Sequence, residues 1–273
     1  MLNKVEVRND KGDFMTLPMG VISNGVEVLG IDGLDPVKTD FSTSKFAALR
    51  GLNHQASSTG LRQIIMNLGL NTGDPQSSVS QIRNRLYTFF MPGTAVELRF
   101  FMADGLTVKI DGLVEDTAAP MFAKEPELNV TMTFFIPDFV SLVTKEVNRW
   151  TTSTVSYFDL NYLGSVENGI TLTVTTDRLL SGFTLQQITP GGSLKKFIYA
   201  KELLRGSVVT ISSVSRNKFA HLSRYGSNSS ALDGVSPLSD WIELQPGLNR
   251  ISIQAETAGL SAKISYVEKY GGL

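Results

Sequence analysis

The 273-residue chain has 42 % hydrophobic and 19 % charged residues and a formal net charge of −1, a globular balance that argues against disorder and supplies no basic field to gather nucleic acid or anionic membrane. It contains no cysteine, which excludes disulfides, thiolate metal sites and a cysteine nucleophile and suits synthesis in a reducing cytosol. The length exceeds what one core usually takes, so two domains are expected. Met1 to Asp10 alternates apolar and charged residues without a signal-peptide core. No window is apolar over the roughly 18 residues that a transmembrane helix needs, so no membrane insertion is expected.

Most of the chain reads as β-structure. Leu61–Leu70 places apolar residues on both sides of an extended segment, which predicts a strand with both faces largely covered. Asn71-Thr72-Gly73-Asp74-Pro75 then reads as a loop. From Val79 to Phe90 the period changes. Val79, Ile82, Leu86 and Phe89 recur at helical spacing, Ser78 and Gln81 can form a capping box, and Met91-Pro92-Gly93 stops the helix. A hairpin follows. A two-residue turn at Asp104-Gly105 would set Phe100 opposite Lys109, whereas a three-residue loop, Ala103-Asp104-Gly105, sets Phe100 opposite Val108 and Leu98 opposite Ile110. The second register keeps apolar residues together, with Gly105 in the left-handed conformation. Glu115 and Asp116 are read as the end of that strand. Leu128, Val130, Met132 and Phe134 alternate with polar residues in a further strand that stops near Pro137.

A domain boundary is expected between Pro137 and Asn161, giving domains 1–145 and 146–273. Beyond it the texture becomes Ser/Thr-rich. Ile170, Leu172 and Val174 alternate with threonines, and Val208–Ile211, Asn249–Gln254 and Ala262–Glu268 read as more strands. Short strands between turn signals suggest a sandwich or jelly roll.

The residues show no catalytic pattern. His54 and His221 lie outside metal-ligand spacing, and no Gly-x-Ser-x-Gly elbow occurs. Gly191-Gly192-Ser193-Leu194-Lys195-Lys196 lacks the spacing of a phosphate loop and reads as a turn with solvated lysines. Asp32 with Asp35, and Glu115 with Asp116, match no calcium loop. A mildly basic run, Lys195, Lys196, Lys201, Arg205, Arg216, Lys218 and Arg224, reads as solvated loops. Trp241 precedes a strand and reads as packing rather than as a sugar platform. The expectation is no catalytic, cofactor-binding or metal-binding residue.

An ordered series of motifs resembles the distal tail protein family of bacteriophages, the siphovirus tail component. It comprises Leu29-Gly30-Ile31-Asp32-Gly33-Leu34-Asp35-Pro36, Gly60-Leu61-Arg62-Gln63-Ile64, the Val79–Phe90 helix with its Met91-Pro92-Gly93 stop, and the Phe134-Phe135-Ile136-Pro137-Asp138 exit. Further on come Leu204-Arg205-Gly206-Ser207-Val208-Val209-Thr210-Ile211, Trp241 to Ile251 with Pro246-Gly247-Leu248-Asn249, and the closing Tyr266-Val267-Glu268-Lys269-Tyr270-Gly271-Gly272-Leu273. Many members of the family have aspartate where Ser207 stands. The resemblance implies a mainly β fold with one helix: an N-terminal β-barrel-like ring domain and a C-terminal galectin-like β-sandwich, or jelly roll. It further implies a homo-hexameric ring in the virion, made in the bacterial host cytoplasm. That ring would lie at the tail tip or baseplate, between tail tube protein and tail-tip hub protein, with receptor-binding or baseplate proteins docking outside. No inserted carbohydrate-binding module is apparent at this length. A free-standing carbohydrate-binding, lectin-like protein is the alternative.

Overall fold

The computed structural model describes residues 1–44, 53–71, 78–120 and 126–273. The chain is mainly β with one α-helix, as expected, and divides into two compact units. The first is Met1–Leu142 together with Tyr270–Leu273, and the second is Val143–Lys269. The chain therefore returns to the first unit at Tyr270.

The first unit holds β1 (Leu2–Asn9), β2 (Phe14–Pro18), β3 (Val26–Asp32), β4 (Thr39–Ser44), β5 (Asn53–Thr59), β6 (Arg62–Leu70), α1 (Val79–Phe90), β7 (Ala95–Met102), β8 (Thr107–Ala118), β9 (Glu127–Phe134) and the start of β10 (Phe139–Trp150). The main sheet runs in the order β3-β6-β9-β8-β7-β1-β2. An isolated bridge between Met19 and Val28 brings its two outer strands together. Val5, Val7, Ile64, Met66, Leu98, Phe100, Val108, Ile110, Val130 and Met132 point inward. The α1 residues Ile82, Leu86, Phe89 and Phe90 pack against them. Ser78 and Gln81 form the capping box, and Met91 ends the helix. The β7–β8 hairpin has the three-residue loop, with Phe100 opposite Val108, Leu98 opposite Ile110 and Gly105 at φ +89°.

Two expectations are corrected here. β6 is buried on one face and open on the other: Arg62, Ile64, Met66, Leu68 and Leu70 alternate with exposed or half-exposed residues. An arginine therefore starts the buried face, while Ile65 is left outside. β8 does not stop at Glu115 and Asp116. A register shift between Val114 and Asp116 absorbs one residue, and pairing with β9 continues to Ala118. Thr72 to Pro75, expected as a loop, lies outside the described residues.

The second unit holds the rest of β10, β11 (Phe158–Tyr162), β12 (Asn168–Gly169), β13 (Thr171–Thr175), β14 (Phe183–Ile188), β15 (Leu194–Tyr199), β16 (Val208–Ser212), β17 (Phe219–Arg224), β18 (Ser227–Ser230), β19 (Glu243–Leu244), β20 (Gly247–Ala255) and β21 (Ser261–Tyr270). One sheet carries β18-β17-β16-β13-β21 and the other β11-β20-β14-β15. Leu172, Val174, Val209, Ile211 and Ile264 of the first share one apolar core with Leu160, Leu185, Phe197, Ile251 and Ile253 of the second, which is a β-sandwich. Asn249 is fully buried and holds the Pro246-Gly247 turn. Its Nδ2 donates to the Gln245 and Gly247 carbonyls at 2.8 and 3.0 Å, and its Oδ1 accepts from the Gln245 amide at 3.1 Å and Gln187 Nε2 at 2.9 Å.

Candidate assembly surface

The first unit carries surface features that can engage another molecule, and their placement starts from Arg62. Its side chain is among the largest that are fully buried. Nε donates to the Pro137 carbonyl at 2.6 Å, Nη1 to the Gly33 and Asp35 carbonyls at 2.5 and 2.8 Å, and Nη2 to the Gly271 carbonyl at 2.5 Å. The guanidinium lies 4.4 Å from the centre of the Phe139 ring. Burial pulls its pKa below the ordinary arginine value, while the charges of Asp138 and Asp35 pull it back up. A planar fork of five donors can hold four carbonyls from three separate segments, which an ammonium with three donors cannot. Gly33 is at φ +88°, and a side chain there would overlap the Gln63 carbonyl oxygen. Four of the family-like motifs, at Gly33–Asp35, Arg62, Pro137 and Gly271, thus meet at one guanidinium.

That clasp fixes the root of an unusual element. Among the described residues β4 and β5 pair only with each other, Phe41 opposite Ser57 and Thr43 opposite His54. Every β5 residue is exposed, and so are Asp40 to Thr43 of β4. The Phe41 ring, 66 % exposed, stands edge-on to His54 at 5.7 Å. Asp40 carries the one formal charge among the residues of these two strands, which include no lysine, arginine or proline.

The outward face of the main sheet has two characters. Across β1, β7 and β8 it is a ladder of alternating charge. Glu97 accepts from Arg99 at 2.5 Å and from Lys109 at 2.7 Å, and Lys4 meets Glu6 at 3.0 Å. Burial pushes Glu97 up, but the hydrogen bonds and charges of Lys109 and Arg99 outweigh it and hold the carboxyl below the ordinary 4.5. Beyond Gly112 the face is mixed. Leu113 lies across from Thr133 and Thr133 across from Gln63, both hydrogen-bonded to Glu115, and the exposed Leu61, Phe135 and Ile136 follow. A cleft of about 440 Å³ runs beside β2, lined by Phe14, Met15, Thr16, Ser23, Asn24, Arg85 and Phe89.

The residues weighed for chemistry fall elsewhere. His54 and His221 are both exposed, and His221 packs 4.7 Å from Phe219. Gly191 and Gly192 form the β14–β15 turn, closed by Thr189 and Ser193. Asp35 serves through its carbonyl, and Glu115 accepts from Gln63 and Thr133. The basic run is dispersed: Lys201 pairs with Asp233, and Lys218 lies 3.7 Å from Glu243. Trp241 is half-buried, 5.5 Å from Phe197, with the Lys218 ammonium 5.7 Å from its ring. Among the described residues no group of three or more His, Asp or Glu is placed to hold a metal ion, and no helix is long and apolar enough to cross a membrane.

Residues 163–270 match the family model described as siphovirus-type tail component, C-terminal domain. No curated protein sequence matches the chain. Among solved structures, the Dit (gp 19.1) protein of SPP1, described as a paradigm of the hub adsorption apparatus in phages that infect Gram-positive bacteria, is similar over 97 % of this chain and 98 % of that one. The identity is 13 % and the TM-score 0.69. Chains of the phage p2 baseplate in its activated conformation, with Ca and with Sr, are similar over 96 % and 95 % of this chain and 98 % and 97 % of theirs, at 9 % identity and TM-scores of 0.45 and 0.43. The resemblance to a phage distal tail protein is borne out by the family model over 163–270 and by the fold over nearly the whole chain.

Proposed function

We propose that the chain is a non-catalytic structural subunit of a phage virion, a distal tail protein whose copies close into a ring, typically a hexamer, at the end of the tail tube. The observation that carries this reading is the family-model match over 163–270, because it rests on sequence where a shared fold alone does not establish function. The first unit, with its exposed ribbon, is the ring-forming part. The second, the sandwich, faces outward and offers docking for receptor-binding or baseplate proteins. The ring joins tail tube protein to tail-tip hub protein. The test is negative-stain microscopy of the purified full chain, alone and with the hub protein. Rings are expected; single particles in both preparations would refute the reading. The lectin-like alternative needs an exposed aromatic platform; Trp241 is half-buried against Phe197, while Trp150 and Tyr225 are exposed. Glycan-array binding by a monomer would favour that alternative.

A further inference from the structure

We infer that one end of the sandwich, built by the loops at 176–180 and 203–207 and by the β17–β18 turn at Tyr225-Gly226, is where a partner protein docks, and that this partner presents an acidic rim around an apolar centre. This rests on the reading of the second unit as the outward docking part, and it names the site.

The end is rigidly built. Thr176 and Ser207 are fully buried and tie the two loops together. The Thr176 amide donates to the Ser207 carbonyl at 2.9 Å, its Oγ1 to the Leu204 carbonyl at 2.9 Å, and the Gly206 amide to the Thr176 carbonyl at 2.8 Å. Leu180 and Leu203 exchange backbone bonds at 2.9 and 2.7 Å, which sets Leu179 across from Leu204. Arg224 Nε donates to the Arg205 carbonyl at 3.3 Å and so joins the β17–β18 turn to the same end. The Tyr225 ring lies over Gly206, 3.8 Å from where a Cβ would sit. That turn is a two-residue hairpin loop with Tyr225 at φ +49° and Gly226 at φ +81°. Such loops favour Asn-Gly, and a bulky side chain at positive φ is an outlier. The strained backbone holds a tyrosine that is 85 % exposed, with the Arg224 guanidinium 4.9 Å from its ring. Strain of this kind collects at binding sites.

The chemistry of this end selects the partner. Leu179 and Leu204 are exposed along with Tyr225. Among the residues of the two loops and the turn, the charges are Arg178, Arg205 and Arg224 against Asp177 alone, and Arg178 already engages that carboxylate at 2.7 and 3.0 Å. Tyrosine and arginine around an apolar centre are the composition of protein interface hot spots. A polyanion such as nucleic acid would be held by charge and would leave the two leucines in water. A protein surface with acids around apolar side chains satisfies both features. The same site accounts for the Leu204-Arg205-Gly206-Ser207 motif. Gly206 turns the chain at φ +78°, Ser207 pins it from inside, and Leu204 and Arg205 are left facing outward.

The test uses phage particles that carry the full-length chain with the photoreactive p-benzoylphenylalanine in place of Tyr225. Irradiation is expected to cross-link the chain to one other protein, at a segment rich in aspartate or glutamate identified by mass spectrometry. A cross-link to a second copy of this chain, to nucleic acid or to a glycan, or none at all, overturns the inference. Arg205→Glu combined with Arg224→Glu is expected to leave the tails intact and to lower the amount of the cross-linked protein per particle at least tenfold; an unchanged amount overturns the inference. Should the double reversal prevent tails from forming, Tyr225→Ala alone is expected to give the same loss, and an unchanged amount in that variant is equally fatal. Particles that contain this chain but show no cross-link would overturn this site and leave the virion reading standing, whereas particles without this chain would count against the virion reading itself.

Discussion

At the scale of single residues, Arg62 and Asn249 account for the family-like motifs better than their surroundings do. Each is a polar side chain spent on backbone carbonyls and amides of a turn, where burial makes an unmade hydrogen bond expensive. Arg62→Lys keeps the charge but cannot reach all four carbonyls. It should destabilise the chain by more than about 2 kcal/mol, seen as a lower midpoint in urea; a midpoint unchanged from the native chain would show that the clasp is not needed. Asn249→Ala should cost about 2–3 kcal/mol through the orphaned Gln245 amide and carbonyl and the displaced Gln187, and melts of the full chain would report it. Trp241→Ala should cost about 1–3 kcal/mol, less than truncation of a fully buried aromatic, since the ring is half-buried over Phe197. The packing role of Trp241 was legible in the sequence; those of Arg62 and Asn249 were not. Arg62 broke the alternation of β6, and that break was the signal: an arginine in phase with Ile64, Met66 and Leu68 must be buried and must find acceptors.

At the scale of elements, periodicity and turn chemistry gave most of the fold. The α1 cap, the β7–β8 register and the β9 alternation followed from side-chain period and loop length alone, because each is decided by local geometry. The β4–β5 ribbon was not legible, since a Ser/Thr-rich strand with no buried face leaves no hydrophobic period to read. The β8 bulge was missed for a related reason: one extra residue shifts the phase without changing composition. The charged ladder on β1, β7 and β8 makes its own prediction. Glu97 has its folded pKa depressed, so between the folded and unfolded values the unfolded chain binds more protons and stability rises with pH. The contribution is present above the ordinary 4.5 and is lost as pH falls through the folded value. Glu97→Gln should therefore lower stability at neutral pH by about 1 kcal/mol, a figure kept small because the partners are partly solvated. The difference from the native chain should shrink toward zero in strong acid. A difference that is constant across the acid range would show that the ladder does not titrate with folding.

At the scale of the whole molecule, the account is of a chain with little to do chemically and much to do geometrically. Two units, a turn cluster clasped by one arginine and an exposed ribbon are the features on which the proposed assembly rests. The sequence carried the family resemblance through scattered turn motifs, and the structure shows why they recur in one chain: they hold backbone turns at the ribbon root and at the sandwich edge. Which surfaces meet in an assembly could not be read from the sequence, because exposed residues obey no period. The most direct measurement is the mass of the full chain by light scattering, alone and with the hub protein, at concentrations up to the millimolar range. Closed homo-oligomers, with a mass consistent with a hexamer and ring-shaped particles in the same sample, are the predicted result. A monomer under every condition, with the hub protein present, would contradict it.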